Sequence, residues 1–519
     1  MVRRTVRLTG RESSVAQLSA RFERVRRELQ IPAEFPAEVL AAAAERAGRG
    51  PRAEDPDRVD LRAVDFVTVD PPGSTDLDQA MALRRRPEGG YLVDYAIADV
   101  PAFVPPRSPL DLTARSRGQT LYAPDRRIPL HPPVLSEDAA SLLEGRDRPA
   151  FVWRFALTPE GEVARTELVR GVVRSRARLT YEQVQAAADA RPRSGAAGPA
   201  DGLDPVAGQA VLLREIGTAR QRLEQARGGA SLPLPEQQVD AVDGRYELRL
   251  RPTLPAEDWN AQLSLMTGMA AASIMLDGGV GLLRTLPPPD PSTLERFRRQ
   301  ASALGVRWPA GLAYGEFLRS LRRDVPRELA LMHAAGGLFR GAGYTPLDAA
   351  SGAGVPAVTT HAAVAAPYAH VTAPLRRLVD RFGLITCHAL VHGRAVPGWV
   401  IEALGELPEA MRASDQLAGQ LERRCTDLVE AAVLAHRVGQ VFDAVVVDLG
   451  GRPGRSPVTA KVQLSEPAVL ASVRVREGQE GQEGRVGQIR SGHRVRMRLE
   501  QVDPDQGTVS FVVEQVLAG

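Results

Sequence analysis

The chain has 519 residues, with 66 Lys and Arg against 63 Asp and Glu, for a formal charge of +3. At 44% hydrophobic and 25% charged residues it has the make-up of folded globular protein, which excludes global disorder. No apolar run approaches the ~20 residues that cross a bilayer, and two distant cysteines, Cys387 and Cys425, exclude a zinc framework and a disulfide scaffold.

A prior of about 100–200 residues per domain predicts two to four domains. The basic start, MVRRTVRLTGRESS, lacks the apolar stretch of a secretory signal. A cytoplasmic protein in a reducing compartment, with no membrane partner, is therefore expected. Lys461 is the only lysine. Arg suits phosphate and base recognition through its planar fork. The accompanying Ala, Gly and Pro point instead to codon bias, so Arg richness alone says nothing about nucleic acid. Near-neutral charge does not exclude an RNA enzyme, because clustering matters more than the sum.

In chain order, Val15, Leu18, Phe22, Val25 and Leu29 recur at helical spacing and predict an amphipathic helix. Arg21, Arg24, Arg26 and Arg27 fill the rest of its surface. A second helix is expected over 35–46, entered through Pro36 near its first turn. The first thirty residues hold eight Arg and three Glu, which suits either a helix-turn-helix-like nucleic-acid contact or a solvated helical hairpin packed on the main domain. From Leu61 the pattern turns to strands: FVTVD, then GGYLVDYAIADV. Residues 187–205 are poor in large apolar side chains and read as a flexible surface insertion. Helices are expected to dominate 206–440. After His436 come five short strand patterns in roughly eighty residues, which suit a small barrel of the OB type. In GHRVRMRLE, alternation places Arg494, Arg496 and Arg498 on one face and Val495, Met497 and Leu499 in the core. That basic face is either an RNA surface or a solvated exterior.

The stretch FVTVDPPGSTDLDQA carries the most chemistry. A strand ends at Asp70, and Asp76 and Asp78 follow within a Pro/Gly/Ser loop. Three carboxylates brought together without a cation would repel strongly. Hard oxygens so gathered suit Mg²⁺, which keeps waters and shares its coordination with a substrate phosphate. The spacing is not that of an EF-hand. Three solvent-facing Asp on a turn are the plainer alternative.

Four stretches occur in order: DRVDLRAVDFVTVDPPGSTDLDQA, YAIADVPAFV, RSRGQTLYAPDRRIPLHPPVLSEDAASLLEGRDRPAF and YAHVTAPLRRLVD. Together they resemble the ordered motifs of the catalytic (RNB) domain of the ribonuclease II / ribonuclease R family, and the C-terminal barrel stands where that family has its S1 domain. The resemblance implies an α+β multidomain protein. It would have a helical, Arg-rich element over 1–55, an RNB-type α/β catalytic domain over 56–435 and an S1/OB-fold β-barrel over 436–519. The two cold-shock barrels usual before the catalytic domain have no room in the first sixty residues. It implies a processive, hydrolytic 3′-to-5′ exoribonuclease acting on single-stranded RNA, dependent on Mg²⁺ with Mn²⁺ as the alternative, and releasing nucleoside 5′-monophosphates. No nucleotide cofactor and a monomer are expected.

Carried over by motif, Asp70, Asp76 and Asp78 match three of the family's four acidic positions, and Gln79 stands at the fourth. A Gln carbonyl can still contact a metal or its water, but without charge. Arg376 matches the Arg that grips the scissile phosphate, and Arg377 would add a second phosphate contact. A helix N-terminal salt bridge to Asp380 is the structural alternative for this pair. Tyr122 matches the aromatic that stacks on bases near the 3′ end, and Glu430 a helical Glu near the active site. Leu378 replaces a motif Tyr, and Val280 a second stacking aromatic of some relatives. The alternative function is an RNA-binding or regulatory member with weak or no nuclease activity because of Gln79. His388 and His392, one helical turn apart, read as structural, and no phosphate-binding Gly loop is found.

Overall fold

The computed structural model describes residues 5–7, 15–49, 58–190, 205–230, 232, 236–242, 245–251, 253–322, 325–348, 356–450, 458–464, 469–475, 489 and 492–517. Strand β1 (Thr5–Arg7) precedes helices α1 (Val15–Glu28) and α2 (Ala37–Arg49). Strands β2 (Val59–Asp60), β3 (Phe66–Asp70), β4 (Gln79–Arg85) and β5 (Tyr91–Ala98) follow. Helix α3 (Pro109–Arg117) leads to the short strands β6 (Leu121–Tyr122) and β7 (Arg127–Ile128), then to the long β8 (Asp147–Leu157) and β9 (Val163–Thr180). The middle of the chain holds α4 (Tyr181–Asp189), α5 (Pro205–Ala226), β10 (Glu236–Val242), β11 (Arg245–Arg251), α6 (Pro255–Gly278), β12 (Val280–Thr285), α7 (Pro291–Ala303), α8 (Tyr314–Ser320), α9 (Pro326–Ala335) and β13 (Gly343–Asp348). After β14 (Thr360–His361) and β15 (Ala366–Pro367) come α10 (Leu378–Val391), α11 (Gly398–Leu404) and α12 (Leu407–Leu434). Strands β16 (Val441–Gly450), β17 (Val458–Leu464), β18 (Leu470–Val475), β19 (Arg494–Asp503) and β20 (Thr508–Leu517) close it.

The central sheet has the order β2-β9-β3-β4-β5-β8, and its 18-residue β9 also pairs with β8. β9 is antiparallel to β8 up to Arg174 and parallel to β3 from Ser175 onward, so the sheet closes on itself. Period-two alternation sorts its side chains between two cores. Val67, Met81, Leu83, Tyr95, Ile97, Trp153 and Phe155 face α5, α6 and α10. Phe66, Ala80, Ala82, Ala96, Ala98 and Val152 lie in a second core with α2. Local signals set the helix ends. Thr180 and Gln183 form a capping box for α4, and α6 opens on Pro255 and closes at the left-handed Gly279, φ 64°. Eleven of the 24 residues of α6 are buried, so it threads between α5, α10 and the sheet.

The five C-terminal strands form one antiparallel sheet of order β18-β17-β16-β19-β20, whose two edge strands approach each other as in a barrel. Val495, Met497 and Leu499 fill its interior with Phe442, Val446, Val462 and Phe511. Arg494, Arg496 and Arg498 face out, as alternation predicts.

Helices dominate 206–440 as expected, interrupted where β10 and β11 pair with β1 in a small sheet and where β12 pairs with β13. Two expectations need correction. First, 187–189 end α4 and Pro205 opens α5, so the 187–205 stretch is partly helical, while 191–204 lie outside the described residues. Second, the N-terminal helices pack on the body of the protein, but in two different places. Leu18, Phe22 and Val25 of α1 are buried against α12 and the barrel, whereas Val39 and Ala43 of α2 join the second core of the central sheet. Arg26, expected on the surface, is 3% exposed, because Asp125 and Glu23 hold its guanidinium. Among the described residues no helix is long and apolar enough to cross a membrane.

Candidate active site

Asp70 is the last residue of β3, and the chain turns at once through Pro71, Pro72 and Gly73, whose φ of 86° suits glycine. The loop then lies against Ser141. The Leu77 N–H donates to the Ser141 hydroxyl oxygen at 2.9 Å, and that hydroxyl donates to the Thr75 carbonyl at 2.7 Å. These bonds present the carboxylates from a fixed frame. Asp78 is 2% exposed and meets a segment 297 residues away. Its Oδ1 accepts the Leu375 N–H at 2.7 Å and its Oδ2 accepts Arg376 Nε at 3.0 Å. Burial pushes its pKa up to about 7, against Arg376 and the Leu375 N–H, which favour the charged form. Arg376 itself stays charged beside Asp78.

Asp76 pairs with Arg127, which also reaches the Thr75 hydroxyl at 2.8 Å and Glu137 at 2.8 Å. Asp70 is half-buried and accepts no hydrogen bond among the described residues. Burial, reinforced by the charge of Asp76, lifts its pKa to about 6, while Arg376 and Arg178 oppose the rise. Among the described residues no three His, Cys, Asp or Glu side chains converge as a formed metal-binding group. The donors nevertheless fit a hard divalent cation: Asp70 is a half-buried carboxylate that accepts no hydrogen bond among the described residues and is close enough to feel Asp76, and all the donors are oxygens.

The hairpin β6–β7 sits over this loop, with Tyr122 directly across from Arg127. It is sewn to the start of α10: the Thr120 N–H donates to the Arg376 carbonyl and the Leu378 N–H to the Gly118 carbonyl, both at 2.9 Å. Tyr122 is 53% exposed, yet its phenol is sheltered enough for burial to raise its pKa, next to Arg376, Asp76 and Asp78. Asp70, Asp76, Asp78, Arg376 and Tyr122 are thus brought together.

The other candidates lie differently. Arg377 is locked to Asp380, with Nε to Oδ2 at 2.9 Å and Nη2 to Oδ1 at 2.8 Å, and Asp380 also accepts the Ala373 N–H at 2.7 Å. The anticipated pair therefore splits: Arg377 makes the Asp380 salt bridge, while Arg376 reaches Asp78. Gln79 opens β4 with both ends of its amide engaged. Its Nε2 donates to the Thr372 carbonyl at 2.6 Å, and its Oε1 accepts the Tyr95 hydroxyl at 3.0 Å. Glu430 is 4% exposed in α12, where its neighbours Leu428 and Val429 pack with Leu121 and Ile128. Arg494, Arg496 and Arg498 lie on the barrel. Asp443 holds Arg496 at 3.1 Å and Glu514 holds Arg498, whereas Arg494 makes no ion pair among the described residues. Leu378 is a buried first residue of α10, and Val280 opens β12. His392 lies 3.0 Å from the Leu168 carbonyl, and His388 packs edge-on to Phe151.

Sequence reasoning missed Arg127, Glu137 and Arg178. The signal available was PDRRIP immediately after Tyr122, but nothing in its spacing says that the second Arg turns to Asp76, 51 residues earlier.

The model of the RNB domain matches residues 58–392, and that of the RNase II-type exonuclease C-terminal S1 domain matches 440–514. Ribonuclease R of Thermotoga maritima is 26% identical over 440 residues, 82% of this chain and 60% of its own length. The chain spans 35% to 60% of the lengths of the curated relatives it first matches. Among solved structures, Mycoplasma genitalium RNase R in complex with ribose methylated single-stranded RNA superposes with a TM-score of 0.80 at 17% identity, covering 96% of this chain and 78% of that one. Yeast Ssd1, a pseudonuclease, superposes with a TM-score of 0.66 at 15% identity, covering 88% and 55%. At such identities these likenesses speak for the fold alone. The RNB match covers well over half of the residues, and with the S1 match behind it the chain belongs to the RNB family, the exoribonuclease family of RNase R.

Proposed function

We propose that this chain is a hydrolytic exoribonuclease that shortens single-stranded RNA processively from the 3′ end and releases nucleoside 5′-monophosphates. The observation that carries the reading is Arg376. It meets the buried Asp78 through Nε alone, and with its side chain 45% exposed beside the half-exposed Tyr122 it keeps a face for a phosphate. A guanidinium so held can take the last phosphodiester bidentately and offset the charge that builds on it. Tyr122 offers the terminal base a stacking surface worth about 1–3 kcal/mol and tolerant of any base. Asp70, Asp76 and Asp78 would hold a divalent cation, Mg²⁺ or Mn²⁺, which when bound supplies charge neutralisation at the phosphate and an activated water. Asp78 also orients Arg376. The barrel face carrying Arg494, Arg496 and Arg498 would hold RNA upstream.

One observation favours a second reading, an RNA-binding member with little nuclease activity. Gln79 brings no charge to the site and is tied at both ends to Thr372 and Tyr95. Incubation with 5′-labelled poly(A) and Mg²⁺ decides between them. A ladder descending from the 3′ end supports the nuclease. Retarded but unshortened RNA supports the binding protein.

A further inference from the structure

Arg127 occupies the middle of the site, and the reaction outlined above gives it no part. One guanidinium serves two carboxylates there: Nη1 meets Asp76, and Nη2 meets Glu137 Oε1 at 2.8 Å. The Thr75 hydroxyl completes the set. It accepts from Arg127 Nη2 at 2.8 Å and donates to Glu137 Oε2 at 3.2 Å. The Asp76 side chain is 10% exposed and that of Glu137 31%, so the inner acid is the more desolvated of the two. Asp70 has no such hydrogen-bonded partner among the described residues.

We propose that Arg127 is a positioning residue that neutralises Asp76 in the cation-free protein and gives it up to an arriving divalent cation, with Glu137 retaining the guanidinium. The idea rests on the cation-dependent nuclease reading and deepens it. Its physics concerns where a displaced charge goes. Stripping an arginine from a desolvated carboxylate is expensive when the arginine is left unpaired. Here it is not left unpaired, because Glu137 and Thr75 already hold its other nitrogen. Asp76 can therefore change partners without stranding a charge. In the meantime the loop avoids the repulsion that two bare carboxylates would suffer. Arg376 cannot play this part at Asp78, since its free face is committed to the phosphate.

The test measures Mn²⁺ binding to the RNA-free full chain by calorimetry, with RNA shortening assayed in parallel and circular dichroism checking the fold. Removing the competitor in Arg127→Gln should tighten Mn²⁺ binding by about tenfold, equivalent to about 1.4 kcal/mol. Glu137→Gln should weaken it severalfold, because Arg127 then has only Asp76 to pair with. The double variant R127Q/E137Q should bind like R127Q alone, since Glu137 acts through Arg127. Unchanged or weaker binding in R127Q overturns the proposal. So does strict additivity in the double variant, which would reduce both effects to the general field of the two charges. If these fail while the unmodified chain still shortens RNA, the nuclease reading stands without the exchange. If the unmodified chain neither binds Mn²⁺ nor shortens RNA, both fall.

Discussion

At the scale of single residues, Asp70 and Asp78 share a loop but not a situation. Asp78 has a backbone N–H and a guanidinium on its two oxygens, whereas Asp70 has neither. Burial favours the neutral form of both acids; at Asp70 it raises the pKa from 3.8 to about 6, with Asp76 adding to the rise and no hydrogen bond among the described residues opposing it. The sign follows: stability linked to this group is fully present below about pH 4 and is lost as pH rises through 6. In cation-free buffer Asp70→Asn should be more stable than the unmodified chain at pH 8, by on the order of 2 kcal/mol, and no more stable at pH 4. Urea unfolding at the two pH values checks this, and a difference that does not change with pH would contradict it. Saturating Mg²⁺ should reverse the order at pH 8, because only the carboxylate gains from the cation. The three acids were legible in the sequence because they fall within nine residues. The partners of Arg127 and Arg377 were not, since a salt bridge depends on where two elements meet and not on spacing.

At the scale of elements, α1 shows what an amphipathic pattern can and cannot say. Its apolar stripe foretold Leu18, Phe22 and Val25 as the buried face, each stabilising by about 1.5–3 kcal/mol. A stripe does not name the surface that covers it, and here that surface is α12 with the barrel. Its arginines follow from that docking. Arg21 reaches Asp505 in the turn between β19 and β20 at 2.9 Å, and Arg26 grips both oxygens of Asp125, at 2.7 and 2.9 Å. Asp125 lies in the turn between Tyr122 and Arg127, so α1 braces the hairpin that overhangs the site as well as the barrel. Arg26→Ala would leave Asp125 buried without its cation. It should lower unfolding free energy by about 3 kcal/mol and weaken RNA binding through the loosened hairpin, whereas loss of the exposed Arg412 should leave the unfolding midpoint unchanged. A thermal or urea midpoint for Arg26→Ala equal to that of the unmodified chain would show that the brace carries no weight. The barrel strands were legible because period-two alternation is strong in GHRVRMRLE. The hairpin β10–β11 and the pair β12–β13 were passed over among helices, although RYELRLR alternates Tyr246, Leu248 and Leu250 with charged residues; the apolar VGLLRT is too short to tell from a helix segment by periodicity.

At the scale of the whole molecule, a charge of +3 conceals a sorted distribution. Acidic side chains gather in the β3–β4 loop, where Arg127 and Arg376 answer them from two separate segments. The basic barrel face is partly answered as well, by Asp443 and Glu514, which leaves Arg494 as its one unpaired member of the stripe among the described residues. Overall architecture was readable from ordered motifs and strand counts. The joining of parts was not: one N-terminal helix belongs to the barrel's core and the other to the core of the central sheet. The closed sheet supplies the frame, and its loop at Asp70–Asp78 and the segment before α10, which would supply the proposed chemistry, meet only through the fold.

The central claim is that Asp78 and Arg376 form the working pair of a 3′-end nuclease. Release of nucleoside 5′-monophosphates from single-stranded RNA in Mg²⁺, followed by chromatography for the unmodified chain and for Asp78→Asn, tests it most directly. The unmodified chain should release mononucleotides steadily, and Asp78→Asn should release none while binding RNA nearly as well. Full release by Asp78→Asn would contradict the account.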